Sequence, residues 1–312
     1  MAVSEFGLIN RYFKQQAVHN STTQLGIGDD CALLSIPEGF ELVVTTDTMV
    51  ENVHFLAGAN PEWLGHKLLA VNLSDLASMG AKPLSVLLAL TLPTVDEDWL
   101  RGFAQGFLSL AQYHAVDLIG GDTTAGALTL TVQALGLVPA GLAMKRSTAK
   151  IGDLICMTGC LGDAGLGLKI AQGKYGCADS DAALNRLHRP EPQITVGLVL
   201  REFATACIDI SDGLVADLGH ITEQSGVGAC LNWERLPLSS AVKQYITATG
   251  DWQMPLCAGD DYELCFTINP ADLKSLPATC TQIGVIDQGD GVRITQSGTT
   301  QRLTKQGYEH FS

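Results

Sequence analysis

Aspartate recurs in this chain in one kind of setting. Asp29 and Asp30 follow a Gly-Ile-Gly turn in GIGDDCALL, and Asp47 lies inside the apolar run ELVVTTDTMV. Asp75 interrupts VNLSDLASMG, Asp122 closes LIGGDTT, and Asp209 and Asp212 stand in CIDISDGL. Asp75 follows Leu68 and Val71 at the spacing of one helix face, so it lies on an apolar stripe. A carboxylate left unpaired there costs several kcal/mol or keeps its proton. Two such charges about 4 Å apart repel by ~1 kcal/mol in water and ~4 kcal/mol at an effective dielectric near 20. If these acids converge, they need cations between them. Oxygen donors suit magnesium, which usually arrives with substrate phosphates, and Thr45, Thr46 and Ser211 supply further oxygens nearby. The competing reading is local: Asp in G-D-T or S-D-G is common turn and helix-cap chemistry, Ser211 or Asp212 can cap the helix that follows, and Asp75 can bond a neighbouring loop. Five separate Gly/Asp turns exceed what capping requires, so the set argues for a site more strongly than any member.

Other chemistries find less support. The seven histidines show no H-x-x-x-H spacing, and the nine cysteines contain no C-x-x-C pair, which disfavours zinc. Cys156 and Cys160 are the one close pair, read here as packing. The segment GDAGLGLK lacks the G-x-x-x-x-G-K-[ST] spacing of a P-loop. The turn CLGDAGLG can place backbone N–H groups at a helix N-terminus, although close helix–sheet packing explains its small residues equally well. Arg146 is a candidate phosphate clamp, since guanidinium matches phosphate oxygens bidentately, with a solvated linker charge as the alternative. His54, seven residues beyond Asp47, is read either as a ligand contact or as a structural histidine. No D-x-[DN]-x-[DN]-G loop is present, which argues against a calcium module.

These residues must be positioned by a sizeable fold. The chain has 312 residues, 46% hydrophobic and 17% charged, enough for two domains. Its net charge of −14, from 33 acidic and 19 basic residues, disfavours nucleic acid as a partner. No segment reads as a membrane span or a secretion signal, and an odd number of scattered cysteines suits a cytoplasmic protein. Strands are expected over ELVVTTDTMV, PLSVLLALTLP and ALTLTVQALGLV, with a short one over AVDLIGGD that ends in a turn. Leu64, Leu68 and Val71 place a helix on PEWLGHKLLAVNLSDLASMG, stopped by Gly80 and Pro83. Thr94-Val95-Asp96-Glu97 reads as a capping box opening a helix through Tyr113. Near AMKRSTAKIGD the apolar pattern breaks, dividing the chain into 1–145 and 146–312. The second half restarts with strand DLICMTG and a helix over CLGDAGLGLKIAQG. It then repeats strand, turn and helix at ATACIDISDGLVADLGHITEQSG, followed by strands GACLNW, YELCFTI and CTQIGVI. The fold class is α/β, or α+β, in both halves.

The segments GIGDDCALL, TTDTMVENVHF, NLSDLASMGAKP, GGDTT, DISDGL, GDDYELCF and the terminal GYEHF resemble the thiamine-monophosphate kinases, in family order over essentially the whole chain. These belong to the superfamily of aminoimidazole-ribonucleotide synthetase. The resemblance implies a two-domain PurM-like architecture. An N-terminal domain for ATP, magnesium and dimerisation would form an intersubunit β-barrel in a homodimer, and a C-terminal α/β domain would follow, with the active site in a cleft between domains. It implies ATP-dependent phosphorylation of thiamine monophosphate to thiamine diphosphate by direct in-line transfer. The magnesium ligands would fall on Asp30, Thr45, Thr46, Asp47, Asp75, Asp122, Asp209 and Asp212. ATP contacts would fall on Gly121, Asp122, Arg146 and Ser211, and thiamine monophosphate contacts on His54, Asp260 and Tyr308. Asp47, Asp75, Asp122 and Arg146 would carry catalysis. Two departures are visible. The late motif has Asp260 before Asp261 where the family usually has Glu before Asp, and Tyr308 stands where Trp or Phe is also common. Stacking on thiamine rings survives the second change.

Three rivals remain within the superfamily: aminoimidazole-ribonucleotide synthetase, selenophosphate synthetase and a hydrogenase maturation factor. The first cysteine is Cys31, too late for an N-terminal selenium nucleophile, and the chain ends GYEHFS without the C-terminal cysteine a cyanide-transferring factor uses.

Overall fold

A computed structural model describes residues 5–14, 20–28, 30–176, 180–302 and 307–308. The chain divides into two compact units, Met1–Leu76 with Ala81–Gly141 and Ala77–Gly80 with Leu142–Ser312. Both are mixed α/β. Among the described residues no helix is long and apolar enough to cross a membrane.

The first unit opens with α1 (Glu5–Leu8), which runs into a π-helical turn at Ile9–Phe13, and a small antiparallel pair, β1 (Thr23–Leu25) and β2 (Leu33–Leu34). Its centre is a four-stranded sheet of β3 (Phe40–Val50), β4 (Lys82–Leu92), β5 (Asp117–Ala125) and β6 (Thr129–Pro139), in the order β3-β6-β4-β5. The β4/β5 pair is parallel and the other two pairs are antiparallel. Helices α2 (Pro61–Ser78) and α3 (Glu97–Tyr113) pack on one face. Leu68, Leu69, Leu73 and Leu76 of α2, like Val86, Leu90, Leu130 and Val132 of the sheet, are essentially without solvent exposure, and Leu76 lies beside Gly136 of β6. The two helices approach so closely that a side chain at Gly65 would strike the Phe103 carbonyl, and one at Gly106 the Glu62 carbonyl. The cap of α3 differs from the expected capping box. Asp96, not Thr94, is the N-cap, its carboxylate accepting the N–H groups of Asp98 and Trp99. An aspartate next to the helix outcompetes a threonine two residues earlier for the same free donors.

On the opposite face of the sheet, β3 exposes apolar side chains. Alternation along β3 turns Phe40, Leu42 and Val44 outward at 44%, 41% and 49% exposure. Register then sets Thr46, Gln133, Leu87 and Gly120 in one row across the four strands, and Thr48, Thr131, Ala89 and Asp122 in the next.

The second unit is built on a seven-stranded sheet in the order β13-β12-β9-β11-β7-β10-β8. Its strands are β7 (Leu154–Thr158), β8 (Ala204–Asp209), β9 (Gly228–Asn232), β10 (Leu264–Ile268), β11 (Cys280–Asp287), β12 (Val292–Gln296) and β13 (Thr299–Arg302), and only β12/β9 pairs in parallel. The helices are α4 (Asp163–Ala171), α5 (Ser180–His188), α6 (Ile194–Leu200), α7 (Leu214–Ser225), α8 (Ser240–Thr249) and α9 (Met254–Cys257). Leu214, Leu218 and Ile221 of α7 share the larger core with Ile155, Met157, Ile208 and Cys265 of the sheet. A smaller core joins α4, α5, α8 and α9 through Leu166, Ala183, Val242, Tyr245 and Met254. Cys156 packs in the interior, whereas Cys160 is exposed.

Candidate active site

The first unit sorts its acids onto the two faces of one sheet. On the helix side, β3 turns Thr45 and Asp47 toward α2, where Asp75 lies. Thr45 donates its hydroxyl to Asp75 Oδ2, and the backbone N–H of Asp47 donates to Asn72 Oδ1 at 3.1 Å. The Asp47 carboxylate accepts no hydrogen bond from any described residue. Burial pushes its pKa up to about 7, and the neighbouring Asp75 charge adds to the shift.

On the other side, Asp30, Thr46, Gly121 and Asp122 line a single cavity of about 890 Å³, together with Gln133 and Phe13. The expected turn at GGD is absent: Asp122 is exposed within strand β5, beyond a register shift between Val86 and Leu87 of β4. Gly121 is required there. Its φ is +151°, and a side chain would collide with the Leu88 carbonyl of the adjacent strand. The paired glycines serve a kinked strand pairing rather than a chain reversal. Asp29 lies outside the described residues.

His54 closes the turn after β3. Its Nδ1 accepts the N–H of Val50 at 3.0 Å, which leaves the proton of the neutral ring on Nε2.

In the second unit the DISDG turn joins β8 to α7. Asp209 is buried at the end of the strand, and Ser211 and Asp212 are half-buried in the turn. Neither Ser211 nor Asp212 caps the helix; the N-cap is Gly213, with no side-chain bond of its own. Instead Asp217, from the first turn of α7, reaches back. Its Oδ2 accepts the N–H groups of Ser211, Asp212 and Gly213 at 3.0, 3.1 and 3.1 Å. Those amides are therefore occupied by the protein. Tyr308, half exposed, is held to the same turn by its N–H bond to the Asp212 carbonyl at 3.0 Å. Asp260 reaches it from the other side, its N–H donating to the Ser211 carbonyl at 2.8 Å. Arg146 is exposed in a 3₁₀ turn at Arg146–Thr148, and its guanidinium makes no bond among the described residues.

Two residues that support these sites escape a reading of the sequence. Asn72 is fully buried and bridges Asp47 to the Leu68 carbonyl, and its clue is only that it sits three positions before Asp75 on α2. Asp217 is the other; an acid inside a helix's first turn is usually read as dipole complement, not as a backward cap.

Comparison with known proteins adds the decisive observation. The chain is 46% identical over its full length, and over 99% of the relative, to thiamine-monophosphate kinase from Haemophilus influenzae. The chain belongs to the thiamine-monophosphate kinase family. Residues 28–138 of this family member also match the model of the AIR synthase related protein N-terminal domain, a span that takes in β3 through β6. The crystal structure of thiamine-monophosphate kinase from Stenotrophomonas maltophilia K279a superposes with a TM-score of 0.86 at 43% identity, covering 94% of this chain and 97% of that one. AaThiL, solved in complex with AMPPCP and TMP, superposes with a TM-score of 0.80 at 31% identity, covering 99% and 97%. The motifs that carry the family resemblance are thus the same segments that build the acidic pair, the cavity and the DISDG turn.

Proposed function

We propose that this protein transfers a phosphoryl group from ATP to thiamine monophosphate, giving ADP and thiamine diphosphate, the last step in making that cofactor. One structural observation supports the reading: Asp47 on β3 is sheltered beside a second carboxylate, Asp75 of α2, on one face of the sheet whose other face gathers Asp30, Thr46 and Asp122 with Gly121 in a cavity. An acidic protein spends stability this way when cations and phosphates are to be bound. Full-length relatives named thiamine-monophosphate kinase, and a relative complexed with AMPPCP and TMP, support the same substrates.

The donor set fits magnesium. It consists of oxygen atoms, and among the described residues no three His, Cys, Asp or Glu side chains stand close enough to cage an ion alone. A hard ion that completes its shell with water and phosphate suits such partial sites. Asp30, Thr45, Thr46, Asp47, Asp75, Asp122, Asp209 and Asp212 would hold the ions, which when bound supply neutralisation of phosphate charge. The protein's own share is binding and orientation. Gly121, Asp122, Arg146 and Ser211 are assigned to ATP, and His54, Asp260 and Tyr308 to thiamine monophosphate. The attacking phosphate oxygen is already ionised, so the site needs no strong base. Alignment for in-line transfer and charge stabilisation by Arg146 are the main contributions. Residues 1–145 form the ATP- and magnesium-binding, dimerising domain in this reading, and 146–312 the C-terminal domain. The uncovered face at Phe40, Leu42 and Val44 supports pairing with a second copy, and the working compartment is the cytoplasm.

The test is ADP release coupled to a reporter, with thiamine monophosphate as acceptor and free thiamine as control. Release is expected with the phosphate ester alone. Equal release with both acceptors, or with neither, overturns the proposal.

A further inference from the structure

The turn that leads into β10 holds three left-handed residues in four. Gly259, Asp260 and Tyr262 have φ of +71°, +63° and +49°. Glycine adopts this region freely, aspartate tolerates it, and for tyrosine it is unfavourable. Main-chain bonds pin the turn to its neighbour: the N–H groups of Asp260 and Tyr262 donate to the Ser211 and Ile210 carbonyls at 2.8 Å each, and the Ile210 N–H donates to the Glu263 carbonyl at 2.8 Å.

The side chains then part in two directions. Tyr262 donates its hydroxyl to Asp260 Oδ1 at 3.1 Å. Asp261 and Glu263 turn inward, each 2% exposed. Asp261 accepts the N–H groups of Gly162 and Ala164 at the start of α4, at 2.9 and 3.4 Å. Glu263 accepts the Thr158 hydroxyl and the Arg186 guanidinium, at 2.5 Å each. Arg186, from α5, donates as well to the main-chain carbonyl of Asp261 at 3.3 Å. One guanidinium thus grips the segment by side chain and by backbone. A buried ion pair of this kind is a poor way to gain stability, since apolar residues of similar size often serve as well or better. A left-handed tyrosine is also unfavourable. Both costs fall in the few residues that present Asp260, which marks the strain as functional.

We infer that Arg186 and Glu263, with Asp261, are positioning residues for Asp260: anchored from the interior, they hold the left-handed turn that sets the Asp260 carboxylate beside Tyr262. The inference rests on the reading of Asp260 as a thiamine monophosphate contact.

A double-mutant cycle on the full chain tests it, with Arg186→Lys, Asp260→Ala and the pair assayed against both substrates. Lysine keeps the charge but not the planar group whose Nη2 reaches both acceptors, so Arg186→Lys raises KM for thiamine monophosphate by about tenfold and leaves KM for ATP unchanged. Combined with Asp260→Ala it adds nothing, because its effect runs through Asp260. Glu263→Gln, which keeps an acceptor for Thr158, reproduces the selective KM rise if the lysine variant folds poorly. Tyr262→Gly relieves the backbone, so Tm rises while KM for thiamine monophosphate rises too. Additive effects in the double variant overturn the positioning role, as does an Arg186→Lys or Glu263→Gln chain with lower Tm and normal KM. An Asp260→Ala variant with unchanged KM overturns the substrate reading of Asp260 itself, and the positioning role falls with it.

Discussion

Two groups of sheltered carboxylates invite comparison. In the second unit Asp217 accepts three backbone N–H groups, Asp261 two, and Glu263 a hydroxyl and a guanidinium. In the first unit Asp47 accepts nothing from the described residues and faces Asp75, another carboxylate. All are carboxylates, buried in the second unit and half-buried in the first, and Asp47 differs from the rest in bonding. Acids that accept N–H groups or a guanidinium are bonded into the scaffold, whereas the Asp47 carboxylate takes no such bond from the described residues. On the reading proposed above, that difference separates a ligand-binding acid from a framework acid.

The comparison breaks most sharply at its two extremes. Asp47→Asn removes a charge the fold does not need, so turnover falls by about 100-fold or more while Tm holds or rises. Steady-state kinetics alongside a melting curve checks this, and near-normal turnover at saturating magnesium contradicts it. Asp217→Ala does the reverse to stability. Three amides lose their acceptor in a site 2% exposed, at a cost of about 2 kcal/mol or more, read from the urea midpoint. If Asp47→Asn destabilises as much as Asp217→Ala, the distinction between site and scaffold fails.

The same contrast explains what was legible in the amino-acid sequence. Asp30, Asp47, Asp75 and Asp122 stood out because an acid among glycines and apolar residues violates local expectation, and helix α2 and strands β3, β4 and β6 announced themselves by periodicity. The local context of Asp122 is ambiguous in the sequence, since paired glycines signal a turn and a kinked strand alike. Thr94 begins a capping-box pattern, but Asp96 provides the cap. Glu263 and Arg186 stand 77 positions apart, and no spacing rule joins them. The order of the seven-stranded sheet was equally hidden, because its pairings are set by long-range packing rather than by local pattern. Asp217 was within reach of local reasoning, but its bond runs backward along the chain.

A smaller effect follows from protonation. The Asp47 pKa stands at about 7 against an ordinary 3.8, so between those values the folded chain binds a proton that the unfolded chain has released. Its stabilising contribution is complete below the ordinary value and is lost as pH rises through about 7. Asp217 and Asp261 have the same sign, raised by burial to about 7 and about 8 against the pull of their N–H bonds. Urea titrations across that window should show wild-type stability declining. Asp47→Asn should flatten part of the decline and leave acid stability intact. Asp217→Ala should lose stability at every pH, because its missing bonds do not depend on a proton. An unchanged slope in Asp47→Asn contradicts the assignment of a sheltered, unpaired acid there.

The smallest effect isolates burial from bonding. Asp96 performs for α3 the service that Asp217 performs for the DISDG turn, accepting backbone N–H groups, here from Asp98 and Trp99 at 2.9 and 3.1 Å. The two differ in surroundings: Asp96 is exposed and Asp217 is buried. When an exposed cap is removed, water replaces the lost acceptor, so Asp96→Ala should cost about 1 kcal/mol. Its activity per folded molecule should match the wild type, measured by turnover after correction for the folded fraction. A loss equal to that of Asp217→Ala would mean that the count of N–H bonds alone sets the cost. The buried acids would then owe their importance to bonding and not to the exclusion of water, and the incompatibility of Asp47 with its neighbour would need another source than desolvation.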